Sequence, residues 1–180
     1  SSFVHDHLKV GDELEVAAPD GRFFVDCSDT TQRNYVAFAA GSGITPILSI
    51  IKTHLTQEPN ATFKLFYINQ SVSSIMLKED LEALKNRFMN RLEIYHFLTQ
   101  EQRDVELFNG RLNEDKLDTI FKTICEVEDL DHYFICGPVQ MIFMIRDFLE
   151  SKGVEKKQIH FELFGTAGAG ANSAGFIAID

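Results

Sequence analysis

The chain has 180 residues, 44% of them hydrophobic, with a formal net charge of −10 and a sequence pI near 5.0, which is enough apolar material for one sizeable core. Because lysine and arginine are dispersed and no apolar run could span a bilayer, the sequence argues against a nucleic-acid partner, a membrane segment or a signal peptide. Three widely spaced cysteines, Cys27, Cys125 and Cys136, argue against a disulfide framework or a zinc site and favour a reducing, cytoplasmic compartment.

Residues 1–34 do not share the pattern of the rest of the chain. Turn-forming residues at 9–12 and 19–21 bound two short apolar stretches, at 14–16 and 23–25. These are typical of antiparallel hairpin strands, and two such strands do not make a stable domain alone. We therefore predict that this segment is the C-terminal remnant of an antiparallel β-barrel.

From residue 35 onward, strands and helices alternate regularly. Apolar runs predict five strands, at residues 35–40, 63–69, 92–98, 133–136 and 159–164. Apolar residues at helical spacing predict four helices, marked by Ile47, Ile50, Ile51 and Leu55, by Leu77, Leu81, Leu84 and Phe88, by Leu117, Ile120, Phe121 and Ile124 after an Asn113 cap, and by Ile142, Ile145 and Leu149.

This alternation predicts an α/β fold of the Rossmann-like kind. We expect a five-stranded parallel sheet in the order 3-2-1-4-5, with right-handed crossovers and helices on both faces. Ligands of such sheets bind beyond the carboxyl ends of the strands. Residues 166–180 are rich in small residues without periodicity, so we predict a linker leading to a further domain.

The loop after the first strand, Gly41-Ser42-Gly43, leads directly into a helix. Thr45 is expected to cap the free N–H groups, and Pro46 fits the first helical position. Such a turn places bare N–H groups and the positive end of a helix dipole over one spot, which makes an anion site. The spacing matches neither GxGxxG nor GxxxxGK, so this loop alone equally fits an ordinary strand-to-helix turn.

A second loop, CGPVQM at residues 136–141, follows the fourth strand as GSGITP at residues 41–46 follows the first. The pair, in this order and on these elements, resembles the NAD(P)-binding domain of the ferredoxin–NADP reductase superfamily. The resemblance covers about residues 1–165 and is greatest to three-domain reductases with a C-terminal [2Fe–2S] domain, including the reductase subunits of phenylacetyl-CoA epoxidases. It implies that residues 1–34 end an FAD-binding barrel, that 35–165 bind NAD(P), and that 166–180 begin a missing domain.

The resemblance also implies roles for single residues. Cys136 would lie beside the nicotinamide ring and help to orient it for hydride transfer, and Gly137 would let the cofactor approach. Glu162 would lie near the nicotinamide and Phe164 would cover the flavin, although both equally fit a plain fifth strand. The other residues implied to bind the pyrophosphate, ribose and nicotinamide are Gly41, Ser42, Gly43, Ile44, Thr45, Pro46, Pro138 and Met141.

At the adenosine end, the chain departs from the pattern of NADPH-using relatives. The residues expected there are Asn69, Gln70 and Ser73 after the second strand and Thr99, Gln100 and Arg103 after the third. Gln100 stands where those relatives commonly have an arginine for the 2′-phosphate, and glutamine supplies neither that charge nor a bidentate fork. Arg103 is the available substitute. An acidic residue for the ribose hydroxyls of NADH is also absent, so the choice between NADH and NADPH stays open, with NADH favoured.

The resemblance implies a flavin-dependent NAD(P)H oxidoreductase. A hydride would pass from the nicotinamide to FAD, and electrons would then leave singly towards an iron–sulfur centre and an electron-acceptor protein, either a ferredoxin-type domain or an oxygenase component. We expect this chain alone to bind a nicotinamide nucleotide weakly and to lack reductase activity. The scattered histidines, including His54, His96, His132 and His160, predict packing or surface residues and no metal.

Two other classes of function stay open. One is a non-catalytic nucleotide-binding module, against which Cys136 beside an intact Gly-Pro argues. The other is a flavodoxin-like electron carrier, against which the barrel remnant and the linker argue. Within the family, an oxygenase reductase, a flavohaemoglobin reductase and the electron-transfer subunit of a dihydroorotate dehydrogenase are the alternatives.

Overall fold

The computed structural model describes residues 2–18, 20–28 and 30–163 of the chain. Helices and strands alternate from residue 34 onward. The helices are α1 (Ser2–His7), α2 (Ile44–Gln57), α3 (Lys78–Arg87), α4 (Glu114–Thr123) and α5 (Val139–Ser151). The strands are β1 (Asn34–Ala40), β2 (Thr62–Asn69), β3 (Leu92–Leu98), β4 (His132–Gly137) and β5 (Ile159–Leu163). Phe164 and the linker predicted for 166–180 lie outside the described residues.

The five strands form one parallel sheet in the order β3-β2-β1-β4-β5, which confirms the predicted topology. The central strands are buried on both faces, because a parallel sheet is covered by its crossover helices. Alternate residues of β1 therefore belong to two separate cores. Tyr35 and Ala37 pack on the side of α2 and α3, whereas Val36 and Phe38 pack on the side of α4 and α5.

The helices bury the predicted apolar faces. Ile47, Ile51 and Leu55 of α2 are buried in one core, and the corresponding residues of α4 and α5 are buried in the other. Asn113 caps α4 as predicted, since its Oδ1 accepts a hydrogen bond from the Lys116 N–H at 3.0 Å. None of the helices in the described ranges is both long and apolar enough to cross a membrane.

The start of α2 differs from the prediction. Gly41–Gly43 form a 3₁₀ turn and Gly43 already has helical angles, so the helix begins at Ile44 and Pro46 is its third residue. Proline is tolerated there because the N–H groups of the first turn have no partner within the helix. Thr45 does not cap the helix; its hydroxyl donates to the Ser42 carbonyl at 3.0 Å.

The strands predicted at 14–16 and 23–25 are not formed in the described residues. A strand needs a neighbouring strand for its backbone hydrogen bonds, and none of the five strands of the sheet pairs with this segment. Leu14 and Val16 are exposed instead. Phe23 and Val25 pack against the core on the α2 side, and the Phe23 ring meets that of Phe134 edge-on at 5.8 Å between centroids. The barrel origin of residues 1–34 stays a prediction.

Candidate functional site

The two glycine loops meet at the carboxyl ends of β1 and β4, which are neighbours in the sheet. A methyl group on Gly43 would lie 2.2 Å from the carbonyl oxygen of Cys136 and 3.1 Å from the backbone nitrogen of Gly137. Backbone atoms cannot yield to such a group, so only glycine fits at this position. The loops that the sequence singled out therefore form one continuous backbone surface.

Gly137 is also closely packed. A methyl group there would lie 2.7 Å from Cε of Met141 and 2.9 Å from Cβ of Ala40. The Met141 side chain thus lies against the Gly137 backbone, and Pro138 is the exposed residue that precedes α5. These contacts bring the predicted residues of the second loop onto the end of β1.

The first loop is held from below by Tyr67, a residue that the sequence analysis did not identify. Gly41 has a left-handed φ of 51°, and the Tyr67 hydroxyl donates to its carbonyl oxygen at 3.1 Å. Tyr67 is a buried residue of β2, and nothing in its sequence position signals a partner in another loop. This hydrogen bond fixes the loop so that Ser42 and Thr45 are exposed above it.

The loop and the start of α2 together can bind an anion. The N–H groups of the first helical turn lack partners within the helix, and the positive end of the helix dipole points the same way. Ser42 and Thr45 add hydroxyl groups at exposed positions. Ile44, by contrast, is fully buried and anchors the turn in the core, so it positions this surface without lining it.

Cys136 and Glu162 lie side by side on adjacent strands, as paired residues of β4 and β5. Cys136 is fully buried. Burial raises the pKa of its thiol to about 12, and the nearby Glu162 carboxylate contributes to that rise. The thiol is therefore protonated at neutral pH, which excludes a thiolate nucleophile at this position and is compatible with a packing contact to a planar ring.

The residues expected at the adenosine end also come together. The loops after β2 and β3 are joined by backbone hydrogen bonds from the Thr99 N–H to the Asn69 carbonyl at 3.0 Å and from the Gln100 N–H to the Gln70 carbonyl at 2.8 Å. Asn69 is buried, whereas Gln70 and Gln100 are exposed. Ser73 is exposed as well, and its hydroxyl lies 2.9 Å from that of Ser71.

Arg103 is held in place by Asn109, a second residue that the sequence analysis missed. The Asn109 side chain accepts from the Arg103 N–H at 2.6 Å and donates to the Arg103 carbonyl at 3.1 Å. The loop from 103 to 109 is thus pinned beside the end of β3. Arg103 itself is exposed, so its guanidinium group is the cation that this end of the sheet offers to a ligand.

A groove of about 370 Å³ opens beside β3, at the edge of the sheet. It lies between that strand and α3, and it is separated from the Gly43–Cys136 contact by the whole of β2. Its lining includes Lys78, Lys85 and His96. Lys85 is engaged there, since its ammonium group donates to the Met89 carbonyl at 2.8 Å.

Comparisons with known proteins point to one family. A family model described as the oxidoreductase NAD-binding domain matches residues 38–147, which include both glycine loops. A component protein of the 1,2-phenylacetyl-CoA epoxidase from Escherichia coli (strain K12) is 37% identical over 168 residues, covering 93% of this chain and 47% of that protein. The ferredoxin reductase component of 3-ketosteroid-9-alpha-monooxygenase from Rhodococcus rhodochrous is 31% identical over 166 residues, covering 92% and 43%.

The fold has a counterpart among solved structures. The flavohem-like FAD/NAD-binding domain of nitric oxide dioxygenase from Vibrio cholerae O1 biovar El Tor aligns with a TM-score of 0.73 and 26% identity. The alignment covers 92% of this chain and 64% of that one. The chain spans less than half the length of the epoxidase and monooxygenase relatives.

Proposed function

The chain belongs to the oxidoreductase NAD-binding domain family, and on that premise we propose that it binds a nicotinamide dinucleotide as the nicotinamide-binding part of a flavin-dependent NAD(P)H oxidoreductase. The observation that carries this proposal is the backbone contact between Gly43 and Cys136-Gly137. It turns two distant loops into one groove without side chains, at the carboxyl ends of the strands, where ligands of such sheets bind.

The proposed site fits the pyrophosphate of such a cofactor at the start of α2. Exposed Ser42 and Thr45 flank the turn, and Gly43 lets the backbone approach closely. Partnerless N–H groups and the helix dipole favour a doubly charged pyrophosphate. The Tyr67 hydrogen bond to Gly41 keeps the turn in this conformation before a ligand arrives, so less order has to be imposed on binding.

The nicotinamide end is proposed to lie over Cys136, Gly137 and Glu162. When bound, the nicotinamide supplies a hydride, and the protein supplies orientation and electrostatics. The buried, protonated Cys136 thiol offers a small polarisable contact at the strand end. Gly137 leaves room beside it, and Met141 closes the wall. Glu162, next to Cys136 on β5, places a carboxylate at the same edge of the sheet.

The adenosine end is proposed to lie over the joined loops after β2 and β3. Exposed Gln70, Ser73 and Gln100 offer neutral hydrogen-bonding groups, and Thr99 lies beside them. Arg103 supplies the cation of this part of the surface. Because neutral groups outnumber cations, we propose that NADH binds more tightly than NADPH.

The longer protein is proposed to pass electrons from NAD(P)H through FAD to an acceptor protein. Its relatives support this by name, since one is part of an epoxidase and another is the ferredoxin reductase component of a monooxygenase. The acceptor is then an oxygenase component or a ferredoxin-type [2Fe–2S] domain, in a cytoplasmic setting. A solved FAD/NAD-binding domain with the same fold supports FAD as the hydride acceptor.

Calorimetric titration of the purified chain with NADH, NADPH and FMN tests the nucleotide proposal. We expect one weak site for the nicotinamide nucleotides, no FMN binding and no NADH-dependent dye reduction. Tight FMN binding would instead support a flavodoxin-like carrier, and no binding of either nicotinamide nucleotide would overturn the proposal.

The flavin part needs a separate measurement, on the full product of the source gene. Its intact mass and visible spectrum should show a longer protein with flavin absorbance and a shoulder from an iron–sulfur cluster. A colourless product of this length would contradict electron transfer and favour a nucleotide-binding module.

A further inference from the structure

A second group of polar side chains lies at the end of the sheet opposite the proposed nucleotide site. α2 runs away from Gly43, so its last turn lies near the amino ends of the strands. There Cys27, His54 and Glu58 each offer one ligand atom, and the three atoms lie within 4.8 Å of one another. His54 is 2% exposed and Glu58 1% exposed, whereas Cys27 is half-buried.

We propose that Cys27, His54 and Glu58 bind a divalent transition-metal ion of the zinc class. Zinc bonds of about 2.3 Å to sulfur and about 2.0 Å to nitrogen or oxygen, at tetrahedral angles, place two ligand atoms roughly 3.3–3.6 Å apart. The Cys27 Sγ lies 3.5 Å from the His54 Nδ1, and this nitrogen lies 3.2 Å from Oε1 of Glu58. A mixed thiolate, imidazole and carboxylate set suits zinc or cobalt.

Hydrogen bonding alone accounts for this geometry less well. A neutral imidazole nitrogen carries either one N–H or one lone pair, yet the His54 Nδ1 faces both the Cys27 sulfur and the Glu58 carboxylate. If the nitrogen donates to Glu58, the thiol finds no acceptor on it; if it accepts from the thiol, its lone pair faces the carboxylate. A cation between the three groups satisfies all of them.

The same geometry excludes a nucleophile relay. In a relay the histidine takes the proton from the nucleophile on one ring nitrogen and is oriented through the other. Here both Cys27 and Glu58 approach Nδ1. The cluster is therefore convergent, as ligands around an ion are, and not linear.

Surrounding groups hold the carboxylate as an outer shell would. The Ser28 N–H donates to Oε1 of Glu58 at 2.7 Å, and the Tyr35 hydroxyl donates to Oε2 at 2.8 Å. Such outer partners orient ligands and strengthen metal binding. Arg33 is the competing cation, with its Nη1 3.6 Å from Oε1. It also donates to the Asp26 carbonyl at 2.8 Å, so it keeps a partner when a metal occupies the carboxylate.

The bound ion would join two parts of the chain. Cys27 belongs to the segment that precedes β1, whereas His54 and Glu58 belong to the end of α2. A metal bond between them fastens that segment to the sheet. Because binding to the folded state alone adds to the free energy of unfolding, the proposed role is structural and independent of nucleotide binding.

Titration of the metal-stripped 180-residue chain with Co²⁺ tests the proposal, because cobalt bound by a thiolate shows sulfur-to-metal charge-transfer absorption and visible d–d bands. We expect one equivalent of Co²⁺ per chain, displaced by Zn²⁺, and a higher unfolding temperature with Zn²⁺. Cys27→Ala should abolish the charge-transfer band and weaken Zn²⁺ binding on the order of 100-fold or more, by comparison with the loss of outer-shell partners.

Cys125→Ala is the matched control, since Cys125 is buried in the opposite core. It should keep both the band and the stoichiometry. Cys27 is only half-buried, so Cys27→Ala is expected to fold, which thermal unfolding without metal verifies. No charge-transfer band in the unmodified chain at excess Co²⁺, or an unchanged band in Cys27→Ala, would overturn the proposal. NADH titrated into the metal-free chain separates this result from the nucleotide site.

Discussion

At Gly43 a missing side chain decides how the two loops meet. The backbones of residues 43 and 136 approach so closely that any Cβ would overlap the Cys136 carbonyl. Cys136 itself is buried with a raised thiol pKa, so its contribution is shape and polarisability. At this scale the proposed site depends on what is small, uncharged and fixed, and two measurements on single residues probe it.

Gly43→Ala should weaken nucleotide binding at least about 10-fold and lower the free energy of unfolding by about 1–3 kcal/mol, because the new methyl group forces backbone atoms apart. Urea unfolding and NADH titration measure the two effects. Gly153→Ala is the control: Gly153 has a left-handed φ of 88° with open space around it, at the far end of α5. It should cost roughly 1 kcal/mol by backbone strain and leave nucleotide binding unchanged. Equal NADH affinity in Gly43→Ala would contradict the contact's proposed role.

The three cysteines should differ in reactivity. Burial raises the pKa of Cys125 and of Cys136 to about 12, and the thiolate is the reactive form. Burial raises the pKa of Cys27 as well, but its half-buried side chain is within reach of a reagent. At pH 8, in a chelator, iodoacetamide should therefore modify Cys27 well before the other two, as followed by mass spectrometry. In urea all three should react at similar rates. Rapid modification of Cys136 in the folded chain would show that its thiol is not buried as described.

At the scale of elements, β4 and β5 are joined by a pair of histidines at their amino ends. The Nε2 of His160 lies 3.2 Å from the Nδ1 of His132, and the His160 ring stacks on Phe134 at 5.1 Å between centroids. Burial lowers the pKa of His160 to about 4, with His132 and His54 contributing to that decrease. Burial likewise lowers the pKa of His132. A ring that donates to its neighbour requires that neighbour to be neutral.

This pair predicts a loss of stability in mild acid. The unfolded chain takes up protons on its histidines below about pH 6.5, whereas the folded pair stays neutral until nearer pH 4, so the free energy of unfolding should fall between these values. Urea midpoints at pH 7, 6 and 5 measure the slope. His160→Gln should make it shallower, and His5→Gln, at an exposed position of α1, should not. An unchanged slope in His160→Gln would contradict the pair's role.

At the scale of the whole molecule, the net charge of −10 disfavours a ligand with extra negative charge. The loops at the proposed adenosine end do little to offset this field, since Gln70 and Gln100 are neutral and Arg103 is the cation held there. The choice of cofactor therefore depends on both the general field and one local charge.

Gln100→Arg should raise NADPH affinity about 10-fold and change NADH affinity little, because an arginine can bind the 2′-phosphate with two parallel hydrogen bonds. Competitive titration of the two nucleotides measures the ratio. Gln57→Arg is matched in charge and lies at the opposite end of α2, so it should leave the ratio nearly unchanged. Should both variants shift the ratio equally, the effect would be the general field and not a contact at residue 100.

The sequence by itself determined the sheet, its strand order and the two loops, because apolar periodicity and glycine positions are local properties that parallel sheets and helix starts require. Tertiary structure alone decided three other features. It placed α2's first residue at Ile44, since the glycine turn was already helical, and it left residues 14–16 and 23–25 without strand partners.

The third feature is the set of contacts between residues far apart in sequence. Tyr67 supports Gly41, and Cys27 lies beside His54 and Glu58; neither pairing has a sequence spacing that could signal it. Packing brings such residues together only after the sheet and its helices have formed. The family site could thus be predicted from motifs, whereas the supporting tyrosine and the proposed metal site required the fold.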